Sequence, residues 1–231
     1  MRNRDLKLIE LEKVLMIKFN NINYLDIALT HSSFANQKIQ VDYNERMEFL
    51  GDAVLELTIS QYLFNNYKDK LEGELTKLRS LIVCENSLYE IAKTWKLGGY
   101  LNMSKGEELT GGRSRVSILA DAVEAIIAAV YLDQGFDISG EFIIKNFYDT
   151  ISKACTNEIV LDYKTKLQET LQKNGEIGIK YNMIGFDGPP HRRIFYMEVE
   201  IDGISKGKGE GYSKKEAEQN AAKNSMKISE D

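Results

Sequence analysis

The sequence predicts two domains, an all-α domain followed by a smaller α+β domain with the element order α-β-β-β-α. Apolar residues recur every three or four positions up to about residue 155, which is the period of helices, and neither proline lies before residue 189. From residue 162 a short helical pattern precedes alternating apolar and polar residues and an alanine-rich helix. We place the first domain at residues 1–156, a linker at 157–161 and the second domain at 162–231.

Successive helices of the first domain are marked by this apolar period and separated by glycines. Leu8, Leu11 and Leu15 follow the helical spacing near the N-terminus. Glycines at positions 73, 98–99, 106 and 111–112 provide the breaks between later helices. The most apolar segment runs from about residue 118 to residue 132, and Asp133-Gln134-Gly135 closes it.

The elements of the second domain follow from a change of period. Residues 165–173 are helical in pattern, and residues 177–183 and 195–201 alternate as strands do. Asp202-Gly203 predicts a tight hairpin turn into a third strand near residues 204–209. Ser213 and Glu216 have the spacing of a capping box, which predicts the start of the last helix.

Composition and charge restrict the class of protein. No run approaches the roughly 20 apolar residues of a membrane-spanning helix, and the charged first residues do not resemble a signal peptide. Cys84 and Cys155 stand apart, which argues against a disulfide framework and a structural zinc site. We expect a cytoplasmic protein without a membrane partner.

The net charge of −5 argues at first against a nucleic-acid partner. The acidic excess lies in residues 1–159, because residues 160–231 carry 12 basic and 12 acidic side chains. The bases of this second part are clustered at 192–193, 206–208 and 214–215. A local basic surface binds phosphates even when the whole protein is acidic.

Residues 44–55 predict a helix with acidic side chains on one face. Glu45, Glu48 and Asp52 are separated by three and four residues and therefore share a face. Apolar residues, Phe49 among them, cover most of the remaining surface, so we expect this helix to be buried. Burying a carboxylate without a partner costs much free energy. The pattern therefore predicts a positive charge beside these acids.

A second apolar helix repeats this pattern, because Asp121 and Glu124 are the only charges in residues 118–132. If the two helices pack side by side, both acids converge with Glu48 and Asp52. Oxygen ligands that leave room for water suit Mg²⁺, and such an ion activates water for phosphoryl chemistry. Glu45 lies about 10 Å along its helix from Asp52, so we expect it to act outside the metal shell.

Other interpretations of these residues stay open at this point. Arginines could pair with the acids in place of a metal, and the candidates are Arg46, Arg79, Arg113 and Arg115. The tract 111–115 is equally typical of a plain surface turn and of a loop that contacts phosphate, and the second interpretation makes Arg113 and Arg115 candidate RNA ligands. His31 precedes two serines, and this position favours a capping or packing role over catalysis.

The stretch Asn44–Leu55 closely resembles the signature of the ribonuclease III family. The similarity extends through residues 28–33, 72–73, 111–113 and 118–125, and residues 162–228 resemble the double-stranded-RNA-binding domain that follows in bacterial members. Met47 stands where the family usually has leucine, a substitution of similar volume. Two matching domains in the right order cover essentially the whole chain.

The resemblance implies an endonuclease that cuts double-stranded RNA with Mg²⁺, or with Mn²⁺ as a substitute, and without a small-molecule cofactor. The products would carry 5′-phosphate and 3′-hydroxyl groups. Their ends would be staggered, because each subunit of a homodimer cuts one strand. Ribosomal precursors and other structured RNAs are the implied substrates.

The resemblance also assigns roles to individual side chains. The metal ligands that it implies are Glu48, Asp52, Asp121 and Glu124. Asp52 and Glu124 would be the residues most essential to hydrolysis, and Glu45 and Glu72 would support them near the cleft. Phe49 matches the aromatic residue that such proteins insert into a pocket of the partner subunit.

Three surfaces of the second domain suit duplex RNA, which proteins hold at its minor grooves and phosphates. They are the outward face of the first helix, the loop between the first two strands and the start of the last helix, where backbone N–H groups favour phosphate. The candidate residues are Thr165, Gln168, Glu169, Gln172, Pro190, His191, Ser213, Lys214 and Lys215.

Two rival functions were weighed against the endonuclease. A non-catalytic RNA-binding or chaperoning protein on an inert nuclease scaffold has no need of intact acids at positions 48, 52, 121 and 124. A helical Mg²⁺ enzyme for diphosphate substrates has no use for residues 162–228. The sequence therefore favours the endonuclease.

Overall fold

The computed structural model describes residues 3–37, 41–156, 163–172, 178–189 and 193–228. The chain forms two compact units, Met1–Ile159 and Val160–Asp231. The linker predicted at residues 157–161 lies outside the described residues.

The described part of the first unit is helical, as the sequence predicts. Short 3-10 turns at Leu97–Gly99 and Gly112–Ser114 interrupt the α-helices. The α-helices are α1 (Asn3–Leu15), α2 (Asn23–Ala28), α3 (Ser32–Ala35), α4 (Glu45–Asn66), α5 (Glu72–Ile82), α6 (Glu85–Thr94), α7 (Lys105–Leu109) and α8 (Val116–Cys155).

Helix α8 forms the centre of this unit, and α2, α4, α5 and α6 pack against it. Its first half is almost entirely apolar, so it is buried on nearly every side. Gly135 has φ 83° and ψ −179°, which divides α8 into two helices at the predicted stop. Within the described residues, no helix has the length and apolar character needed to cross a membrane.

Helix α4 is buried on one side only. Met47, Val54 and Leu55 face the core, whereas Phe49 is 82% exposed. The expectation of a buried helix is therefore wrong for the face that carries Phe49. Apolar residues lie on nearly all sides of α4, but the described residues of the first unit cover only part of its surface.

The second unit has the predicted order α-β-β-β-α. The strands form one antiparallel sheet in the order β1-β2-β3. Asp202 and Gly203 both have positive φ, 50° and 78°, and form the predicted tight turn between β2 and β3. The elements are α9 (Tyr163–Gln172), β1 (Ile179–Asp187), β2 (Ile194–Ile201), β3 (Ile204–Gly211) and α10 (Lys214–Ile228).

Helix α10 lies directly on strand β3 because both surfaces consist of small residues. A Cβ atom on Gly207 or Gly209 would overlap the backbone of α10. The helix presents Ala217 and Ala221 to the strand, and both are fully buried. This contact fixes the start of α10, which carries two of the candidate RNA ligands.

Candidate active site

Helices α4 and α8 cross in direct backbone contact at Gly51 and Glu124. A Cβ atom at position 51 would overlap the main-chain carbonyl of Glu124, so the crossing requires glycine. Glu48 lies one turn before Gly51 and Asp52 follows it directly. The crossing therefore places the two acids of α4 beside those of α8.

The pKa of Glu124 shows how close the acids are. Burial is the main cause that raises it, and the negative charges of Asp52, Glu48 and Asp121 raise it further, to about 8. With Glu56, which has the smallest effect, four separate carboxylates therefore act on Glu124. The two helices bring together the four acids that the sequence predicts to converge.

Glu48 and Asp121 share this environment. Burial raises the pKa of Glu48, and the charges of Asp121, Glu45 and Asp52 add to the shift. Burial also raises the pKa of Asp121, Glu85 raises it further, and the ring of His31 opposes the shift. Glu45 acts on both of these acids, which places it at the edge of the cluster.

Three of the four arginines that could have neutralised these acids, all except Arg46, have other partners. Arg113 Nε donates to Glu108 Oε1 at 2.6 Å, and Arg115 pairs with Glu107. Arg79 donates to the hydroxyl of Ser60 at 2.9 Å. Among the ion pairs of the described residues, none contains any of the four clustered acids.

The donor chemistry of the cluster fits a hard divalent cation, because all four candidate ligands are carboxylates. In the described parts of the chain, however, no three Asp, Glu, His or Cys side chains already form a metal-binding group. Carboxylates of like charge repel each other unless a cation lies between them. The chemistry of these side chains fits a divalent cation, whose charge would offset their repulsion.

His31 has the structural role that the sequence predicts. Its Nδ1 accepts a hydrogen bond from the backbone N–H of Ser33 at 3.2 Å and thereby caps α3. Its backbone N–H donates to the carbonyl of Asn102 at 2.9 Å. Sequence reasoning missed the effect of this ring on Asp121, because residues 31 and 121 are remote in the chain.

Gly51 is the second functional position that sequence reasoning missed. A signal was present, because glycine in a helix interior is unfavourable by roughly 1 kcal/mol relative to alanine. A glycine between Glu48 and Asp52 therefore indicates a close backbone approach at the site.

Glu72 lies apart from the four acids within this chain. It stands at the start of α5 and accepts a hydrogen bond from Thr76 at 3.1 Å. It lines a cavity of about 660 Å³ whose apolar walls include Leu57, Phe64 and Leu75. The contacts within one chain therefore do not explain how Glu72 would support Asp52 and Glu124 in hydrolysis.

The candidate RNA ligands of the second unit lie on the outside of its helices. The side chains on α9, namely Thr165, Gln168, Glu169 and Gln172, are exposed. Ser213 Oγ accepts from the N–H of Glu216 at 3.1 Å, and Lys214 and Lys215 are exposed in the first turn of α10. Pro190 and His191 lie outside the described residues.

Arg113 is held by the fold of the first unit. Besides its ion pair, its guanidinium donates to the carbonyls of Gly98 at 2.7 Å and Leu101 at 3.0 Å. These contacts connect three segments of the chain near the start of α8. Contact of Arg113 or Arg115 with RNA stays a prediction.

Comparisons with known proteins agree with this geometry. A family model described as Ribonuclease-III-like matches residues 21–151, and a double-stranded RNA binding motif matches residues 163–228. Ribonuclease 3 of Clostridium tetani is 62% identical over 224 residues, which are 97% of this chain and 95% of that protein. Ribonuclease 3 of Clostridium beijerinckii is 64% identical over 221 residues, with 96% and 95% covered.

A solved structure is similar to the first unit. The nuclease domain of ribonuclease III from Campylobacter jejuni, described as flexible in a region involved in dimer formation, has a TM-score of 0.58. The two sequences are 42% identical, and the match covers 61% of this chain and 96% of the Campylobacter jejuni chain.

The acid-lined helical unit and the α-β-β-β-α unit together define an endoribonuclease that cleaves double-stranded RNA. The chain belongs to the ribonuclease III family.

Gly51→Ala should separate the two helices. We expect a loss of about 1 to 3 kcal/mol in the free energy of unfolding from overpacking, and a fall in kcat of about 100-fold because the acids are displaced. Gly140→Ala, in the other helix α8, is the control, since the nearest neighbour of its new Cβ lies 3.9 Å away. Urea unfolding and single-turnover cleavage measure both effects. Equal behaviour of the two variants would contradict the role of the crossing.

Glu124→Gln should stabilise the protein in EDTA. The raised pKa of Glu124, about 8 against the ordinary 4.5, means that the folded state keeps a proton which the unfolded state loses between these pH values. Stability of the wild type should therefore fall as pH rises through this window. We expect the variant to be more stable by roughly 1 to 2 kcal/mol at pH 8 and about equal near pH 4.5. Thermal unfolding at several pH values measures both stabilities. A stability difference between the variant and wild type that does not change with pH would show that the raised pKa of Glu124 is not its cause.

Proposed function

We propose that the chain hydrolyses double-stranded RNA with Mg²⁺ and leaves 5′-phosphate and 3′-hydroxyl ends. The observation that carries the proposal is the cluster of four acids on α4 and α8. Three of these acids, Glu48, Asp121 and Glu124, have raised pKa values. An uncompensated cluster of this kind is unfavourable unless a cation is part of its function. Mg²⁺ matches a set of oxygen ligands that leaves room for water.

Individual acids have distinct tasks in this proposal. Glu48, Asp52, Asp121 and Glu124 would hold the ion. A bound divalent ion supplies an activated water and stabilises negative charge on phosphate oxygens. Asp52 and Glu124 orient the attacking water, which is why we expect them to be the residues most essential to hydrolysis.

We also propose that the protein acts as a homodimer, with Phe49 at the interface. Phe49 is 82% exposed on α4, although an aromatic ring gains by leaving water. The cavity lined by Leu57, Phe64 and Leu75 offers an apolar space of about 660 Å³. Insertion of each Phe49 into the cavity of the other subunit would join the two exposed apolar surfaces.

The dimer gives Glu72 a task that the single chain does not explain. Phe49 is adjacent to Glu48 in sequence, and Glu72 lies in the wall of the cavity. Insertion of Phe49 would therefore bring Glu72 of the partner subunit toward the acids of α4. In this proposal each active site is completed across the interface.

Each subunit of this dimer would cut one strand, so that the product ends are staggered. The second unit would hold the duplex through α9, the β1–β2 loop and the start of α10. We propose ribosomal precursors and other structured RNAs in the cytoplasm as the substrates. The name Ribonuclease 3 of the relatives supports cleavage of RNA as the activity.

Cleavage should require both Mg²⁺ and Glu124. We expect wild type to cut a long RNA duplex with Mg²⁺ but not in EDTA, and Glu124→Gln to lose at least about 10³-fold in rate, because an essential ligand is missing. The control is Glu141→Gln, an exposed acid on the same helix, which should cut at the wild-type rate. Denaturing gels and end-labelling of the products measure rates and end groups.

Two results would overturn the proposed function. Cleavage that persists in EDTA or in Glu124→Gln would exclude the acid-held metal. Binding without any cleavage by the wild type would instead indicate the non-catalytic RNA-binding protein.

Phe49→Ala should weaken the dimer. Truncation of a central aromatic contact costs about 2 kcal/mol or more, and each dimer contains two such contacts, so the dissociation constant should rise at least about 100-fold. Leu109→Ala provides the control, since Leu109 is 87% exposed on α7. Sedimentation equilibrium measures both constants, and an unchanged dimer in Phe49→Ala would exclude Phe49 from the interface.

A further inference from the structure

Arg193 occupies a distinctive place at the end of the sheet in the second unit. The last pair between β1 and β2 joins Asp187 to Ile194, and Arg193 precedes this pair directly. Residues 188–193 connect β1 to β2 along the chain, and the sequence predicts that this loop binds RNA. Arg193 therefore stands at the base of that connection.

The guanidinium of Arg193 is held by an aromatic ring. Its Cζ lies 4.5 Å from the ring centroid of Phe186, which is itself 55% exposed. Stacking of this kind attracts the cation to the ring face and fixes the plane of the guanidinium. Arg193 is thus a positioned charge at the surface of the sheet.

This positioned charge is not neutralised within the described residues. No acidic side chain among them forms an ion pair with Arg193. Its Nε is buried and has no hydrogen-bond partner there. The carboxylate of the nearby Asp187 accepts a hydrogen bond from the N–H of Gly188 at 2.7 Å. A buried donor without a partner is unfavourable.

The strand register places Arg193 at the same end of the unit as the first turn of α10. Phe186 pairs with Phe195, and Phe195 pairs with Gly211 across the sheet. Helix α10 begins soon after Gly211, at Lys214. Because β1 and β3 are separated by two strand spacings, about 10 Å, these cations line one end of the sheet.

We propose that Arg193, held on Phe186, binds a phosphate group of duplex RNA beside the β1–β2 connection. A stacked guanidinium can direct its terminal N–H groups to the oxygens of a phosphate. The proposal rests on the RNA-binding surface assigned to the second unit under the proposed function, and it adds a phosphate contact to that surface.

The test measures binding of full-length protein to a short RNA duplex in EDTA at several salt concentrations, with the RNA checked for integrity. Arg193→Gln should weaken binding about tenfold and reduce the salt slope by about one, because one fewer phosphate is neutralised. Arg193→Lys should keep the slope and lose about threefold in affinity. Phe186→Leu should weaken binding because the platform is lost.

Lys180→Gln is the matched control, because this exposed cation lies on β1 at the end remote from the connection. It should change neither affinity nor slope beyond twofold. Unchanged binding in Arg193→Gln would overturn the proposal. Weaker binding at an unchanged salt slope would also overturn it, since that result indicates a structural role. If Arg193→Gln does not fold, Arg193→Lys decides, and full affinity in that variant contradicts the contact.

A double variant, Lys214→Gln with Lys215→Gln, separates this inference from the proposed function. Loss of affinity in the double variant together with normal binding by Arg193→Gln would remove only the Arg193 contact. Normal binding by both would show that the RNA-binding surface itself is assigned wrongly.

Discussion

The backbone contact between Gly51 and Glu124 is the constraint on which the catalytic unit depends. Because position 51 has no side chain, α4 and α8 approach until the main chain of one touches that of the other. Every acid of the cluster is positioned relative to this crossing. The same contact also sets the orientation of α4 about its axis. Because Gly51 faces α8, Phe49 on the opposite face points away from the core.

This arrangement carries an electrostatic penalty that the surrounding core offsets. Burial and mutual repulsion raise the pKa values of Glu48, Asp121 and Glu124. The apolar first half of α8 packs against several helices and holds these groups in place in spite of the repulsion. The site thus keeps unfavourable interactions that a bound cation would relieve, as functional sites commonly do.

Much of the fold followed from local patterns. The helical first unit, the α-β-β-β-α order, the turn at Asp202-Gly203 and the cap at His31 are confirmed, because periodicity and turn chemistry act between near neighbours. The burial of α4 was predicted wrongly at Phe49, because a sequence pattern does not reveal which apolar face the chain leaves uncovered. The sequence left the partners of Arg113 and Arg115 undecided, because ion pairs depend on distances between segments of the chain.

The sequence by itself predicted which residues carry the chemistry: acids repeated on two apolar helices, a motif shared with the ribonuclease III family, and local clusters of basic residues in the α+β unit beyond residue 162. Tertiary structure decided how those residues meet. Only the folded structure shows that Gly51 lets α4 and α8 meet at their backbones, that Glu72 lines a cavity, and that Arg193 stacks on Phe186. Spacing along the chain fixes which face of an element a side chain occupies, whereas the distance between elements is set by how their surfaces fit.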